Sequence, residues 1–128
     1  MNRILLTAYK HMSKITVLHS LPGRLRVYIP GMKKLQNSEY RKYENVFIDL
    51  IDEIQGINDV ESNFITGNIL INYNNSVITE TGIISGLNHI RDELIDYFMN
   101  NSDKMTTESE ENIVSEIKSL ISKEIKLL

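Results

Sequence analysis

Cysteine is absent from this 128-residue chain. Its own side chains therefore supply no disulfide framework, no thiolate nucleophile, no iron–sulfur cluster and no Cys-based zinc or copper site. Long apolar runs are absent as well. No stretch approaches the roughly 18–20 residues that cross a bilayer, and Ile4-Leu5-Leu6 is too short for the apolar core of a signal peptide. The expectation is a cytoplasmic chain. Phosphate-cradling loops of the Gly-x-x-x-x-Gly-Lys and Gly-x-Gly-x-x-Gly kinds are missing, and no nucleophile or acid–base pair stands out, so a non-enzymatic protein is expected.

Acidic residues are missing from the first part of the chain. Residues 1–37 hold seven Lys/Arg and no Asp/Glu, whereas residues 38–128 hold seven Lys/Arg and all seventeen Asp/Glu, which together make the net charge of -3. Such a division either presents a basic surface to an acidic partner or is neutralised by the protein's own acidic helices. The sequence leaves both readings open.

What is present reads as one α+β domain; 41% apolar and 24% charged residues are ordinary for a globular chain. Lys14-Ile15-Thr16-Val17-Leu18-His19 is rich in β-branched residues and begins a strand. Arg24 to Ile29 alternates, with Leu25, Val27 and Ile29 on one face and Arg24, Arg26 and Tyr28 on the other. Pro22-Gly23 between them suits either a hairpin turn or a kink in one long strand. Tyr40, Tyr43, Phe47, Leu50, Ile51 and Ile54 recur at helical spacing and predict a helix over residues 38–54, capped by Asn37 or Ser38.

Gly56 ends that helix, and Asp59 to Phe64 and Asn68 to Tyr73 then flank Thr66-Gly67 as a hairpin. A second helix is predicted from Glu80 to Phe98, capped by Thr79 or Thr81. This order is that of a ferredoxin-like sandwich, βαββα, whose final strand is not visible. Residues 1–13 read as an N-terminal extension, 14–98 as the domain, 99–111 as a flexible polar linker, and 112–128 as an amphipathic helix. The stripe of that helix, Ile113, Ile117, Leu120, Ile121, Ile125 and Leu128, must be buried on its own domain, on a second copy, or in the groove of a protein partner.

Gly31-Met32, Gly56-Ile57-x-x-Val60, Asn63, Thr66-Gly67 and the strand ending at Tyr73 resemble the landmarks of heavy-metal-associated domains, the modules of metallochaperones and metal-transporting P-type ATPases. His19-Ser20-Leu21-Pro22-Gly23-Arg24-Leu25-Arg26 is similar to a subgroup that opens with Pro-Gly-Arg-x-Arg and often lacks a Cys pair. In metal-carrying members two cysteines at C-x-x-C spacing follow the Gly-Met, and Lys34 and Asn37 fall at those places here. A charged ammonium has no lone pair to offer a metal, so this resemblance carries no thiolate relay. Some relatives with such a degenerate domain are cargo proteins of encapsulin shells, entered by a short apolar tail on a flexible linker. Residues 99–128 are similar in layout.

His19, Arg24, Arg26 and Tyr28 form the most coherent polar patch and are the candidate ligand-binding residues. Guanidinium groups suit carboxylates, and a nitrogen ligand beside them is compatible with haem or iron; the sequence names no cofactor and excludes only a thiolate metal site. His11, His19 and His89 are read as isolated, without the i, i+4 spacing or carboxylate clustering of a legible metal site. RNA-binding relatives of this fold carry stacking aromatics on two central strands, which are not seen here, so nucleic acid is not expected as a partner. Tyr40, Tyr43 and Phe47 are read as core.

Overall fold

Pro22-Gly23 joins two separate strands. The computed structural model describes Leu6 and residues 15–35, 38–63 and 65–125. In it β1 (Thr16–Leu21) and β2 (Arg24–Tyr28) pair antiparallel across this turn, which decides between hairpin and kinked strand. Gly23 sits at φ +83, and a Cβ there would lie 3.0 Å from the Tyr73 carbonyl oxygen, so both its conformation and its closeness to the neighbouring strand call for glycine.

A four-residue helix, α1 (Met32–Leu35), follows, and then a 3-10 turn over Glu39–Tyr43 leads into α2 (Glu44–Asp52). Ser38 caps the turn, its Oγ accepting from the Tyr40 N–H at 3.1 Å, while the other candidate cap, Asn37, lies outside the described residues. The helix expected over residues 38–54 is thus a 3-10 entry and a shorter α-helix. Next come β3 (Ile57–Asn63) and β4 (Asn68–Tyr73), then α3 (Glu80–Asn100), with Thr79 Oγ1 accepting from the Gly82 N–H at its start. Residues 99–111, expected as a mobile linker, hold the end of α3, the short α4 (Ser102–Thr107) and the start of α5 (Glu110–Ile125).

The sheet order is β1-β2-β4-β3, with every neighbouring pair antiparallel. In a complete ferredoxin-like repeat the edge place beside the first strand of the repeat belongs to the last strand in sequence. Here β1 fills it from the N-terminal side, which is why no strand is needed after α3. Leu25, Val27, Ile69 and Ile71 face the helices with no exposed surface and meet Leu50, Ile51, Ile83, Leu87 and Ile90.

Above α2 and α3 lies a third layer. α5 rests on both helices, and Ile113, Ile117, Ile121 and Ile125, each four residues from the next, are 0–4% exposed. Of the three places that the sequence leaves open for this stripe, its own domain takes these four isoleucines. Leu120 points the other way, 53% exposed, and Leu128 lies outside the described residues. A repeat of four positions along one helix turns only slightly off axis, so all four isoleucines follow the groove between α2 and α3.

Candidate functional site

Among the described residues, the side chains on the face of the sheet away from the helices are exposed or half-buried, and the strand registers arrange them in rows. Leu21 opposes Arg24, which opposes Asn72, which opposes Asp59. In the next row stand His19, Arg26, Leu70 and Glu61, and in the third Thr16, Tyr28, Asn68 and Asn63. The inner strand β2 carries the cationic Arg24 and Arg26 and the edge strand β3 the anionic Asp59 and Glu61, with Asn68, Leu70 and Asn72 of β4 between. β3 is two strands from β2, roughly 10 Å at the ordinary inter-strand spacing, which separates the two charges.

His19, Arg24, Arg26 and Tyr28 thus stand together on the open face. His19, Leu21, Arg24 and Arg26 line a shallow hollow. The pairing of β1 with β2 shifts register between Val17 and His19. Without that irregularity Leu18, not His19, would oppose Arg26, because strand residues alternate faces. The bulge is what brings the imidazole beside the guanidinium. Neither Arg24 nor Arg26 is ion-paired with a described residue, whereas Asp59 is engaged by the Asn72 Nδ2, which donates at 3.3 Å.

The helical layer handles its charge differently. Lys118 Nζ lies 2.7 Å from Asp49 Oδ2, Lys104 Nζ 2.9 Å from Glu116 Oε1, and Ser122 Oγ donates to Glu53 Oε2 at 2.8 Å. Part of the acidic portion of the chain is answered inside that portion, which leaves the arginines of β2 outside the exchange.

A correction concerns His89, which the sequence reading treats as isolated. His89 and Glu93 lie one turn apart on α3, and Glu124 reaches them from the last turn of α5, with His89 Nε2 2.8 Å from Glu124 Oε2. Their nitrogen and carboxylate ligand atoms all lie within 4.8 Å of one another. The His89-x-x-x-Glu93 spacing is visible in the sequence; the third member, 35 residues away from His89, is not.

Tyr40, Tyr43 and Phe47 belong to the core, at 4–5% exposure, with Phe98 packed at ring-centroid distances of 5.1 Å from Tyr40 and 5.3 Å from Tyr43. Burial pushes the Tyr40 hydroxyl up to about 12, aided by neighbouring Glu39, and raises that of Tyr43.

The residues at the family's usual thiolate positions do not suit a soft metal. Asn37 lies outside the described residues, the backbone at Lys34 belongs to α1, and Met32, the one soft donor there, is fully buried with its thioether in the core. No cysteine exists to replace them.

Among described residues no helix is long and apolar enough to cross a membrane. No curated protein and no solved structure matches the chain. The profile of heavy metal associated domain 2 matches residues 7–127, a wider span than the landmarks at residues 14–98, and takes in α5 as well. On that match, over nearly its whole length, the chain belongs to the heavy metal associated domain 2 family, a metal-associated module.

Proposed function

We propose that this protein is a non-enzymatic cytoplasmic binding module whose open sheet face takes a carboxylate-bearing ligand, haem being the candidate that also uses a nitrogen donor. The observation that carries the reading is the pair Arg24 and Arg26, side by side on an exposed face, neither ion-paired with a described residue, with His19 in register beside Arg26. A guanidinium presents a planar fork to a carboxylate, and two on one strand face match a ligand with two such groups. His19 supplies an imidazole nitrogen for an iron centre, and Tyr28 flanks the row with a ring for contact.

The family's metal association comes to this chain without thiolates, so a metal held in a ligand's own framework is compatible with the donors present. Docking of α5 into a foreign groove, as in encapsulin cargo, has less support, because its isoleucines already lie in the core.

The test is an absorption titration of the purified chain with haem, with elemental analysis before and after Fe(II), repeated on His19→Ala and Arg26→Ala. A stoichiometric Soret band that both substitutions weaken at least tenfold is expected. A spectrum without a bound-haem band, or one indifferent to both substitutions, would overturn the proposal.

A further inference from the structure

A second set of donors stands on the opposite side of the molecule, between α3 and α5. We infer that His89, Glu93 and Glu124 form a site for a borderline divalent cation such as Zn(II), Co(II) or Ni(II), which clips the end of α5 to α3.

The three ligand atoms converge from two elements. His89 and Glu93, at i and i+4, present their side chains on one face of α3 and are half-buried, which limits the rotamers that must be ordered. Glu124 comes from α5, whose position is already set by the four isoleucines beneath it. In a tetrahedral zinc site with bonds of about 2.0–2.1 Å, ligand atoms stand roughly 3.3 Å apart. The donors here lie within 4.8 Å of one another, with His89 Nε2 and Glu124 Oε2 at 2.8 Å, so the separations are within reach of side-chain rotation around an ion.

The chemistry selects the class of ion. One imidazole nitrogen and two carboxylates are borderline to hard donors, unlike the thiolate pair that favours Cu(I). Two carboxylates balance a dication's charge, and three protein ligands leave a fourth position for water. In the ion-free chain the His89–Glu124 contact is a hydrogen bond, and the cation takes the place of the proton between them.

Glu93 separates this proposal from a plain surface ion pair. No hydrogen bond or salt bridge to a described residue engages its carboxylate, so an ion pair between His89 and Glu124 has no use for it, whereas a cation does.

The experiment is a thermal melt and calorimetric titration of tag-free protein with ZnCl2, with CoCl2 as the spectroscopic probe. One ion per chain is expected, with the visible bands of low-coordinate Co(II). At a hundredfold excess over Kd, the melting temperature should rise by about 8–13 °C. Glu93→Gln should leave the ion-free melting temperature unchanged and weaken binding at least tenfold, and Glu124→Gln should weaken it similarly. His19→Ala should leave the titration as it is, which keeps this result independent of the open face. The absence of a melting shift, or a shift that persists in both glutamate variants, would overturn the inference.

Discussion

Ile117 is the most direct probe of how α5 is held. It is 0% exposed, at the middle of the stripe that α5 lays against α2 and α3. Replacing it with alanine removes buried carbon and leaves a cavity between rigid helices; such changes cost about 2–5 kcal/mol. For a chain of this size each kcal/mol moves the melting temperature by roughly 3–5 °C, so Ile117→Ala should lower it by about 6–25 °C. Ile117→Val should cost about 0.5–1.5 kcal/mol, a graded check should the alanine variant fail to fold. Leu120→Ala, at a position 53% exposed, should change stability by no more than about 0.5 kcal/mol. Urea unfolding followed by circular dichroism measures all three. If Ile117→Ala and Leu120→Ala were equally mild, and deletion of residues 112–128 left the melting temperature and m-value intact, α5 would be a detached docking segment and the packing described above would be wrong.

Other outcomes follow from the same structure. Gly67→Ala should cost at least about 1–2 kcal/mol, since Gly67 has φ +79 and a Cβ would meet the Ile29 carbonyl oxygen at 2.9 Å; thermal melts check this. Because burial lifts Tyr40 from 10.0 to about 12, the folded chain keeps a proton there that the unfolded chain releases. Stability from this group is therefore full below about pH 10 and is lost as pH rises towards 12, and Tyr40→Phe should flatten that part of a urea-midpoint profile. Arg24→Ala, like Arg26→Ala, should weaken haem binding with little effect on the ion-free melting temperature, because neither side chain is ion-paired with a described residue. The affinity of the α3–α5 site for Zn(II) should be unaffected by either change.

The sequence by itself determined the elements whose signal is local. The alternation from Arg24 to Ile29 depends only on the two-residue period of a strand, and it placed Leu25 and Val27 inside and both arginines outside. The caps were legible as pairs of candidates, Asn37 or Ser38 and Thr79 or Thr81, of which Ser38 and Thr79 accept the capping hydrogen bonds, and the left-handed glycine at position 56 is readable from its place after the helix. The absence of thiolates needs no coordinates.

Only the tertiary structure decided which partners those elements meet. Whether Pro22-Gly23 is a turn or a kink depends on what occupies the edge beside β2, and the place left by the missing last strand is filled by β1. Simple alternation along β1 puts Leu18 where His19 stands, because a bulge comes from pairing with another strand and leaves no mark in a single segment's period. The isoleucine stripe of α5 says that it must be buried but not where, since apolar surface is satisfied equally by any apolar groove. In the same way Glu124 reaches His89 only because α5 folds back over α3. Local periodicity reports which face of an element is apolar; the contact that satisfies that face is a property of the whole chain.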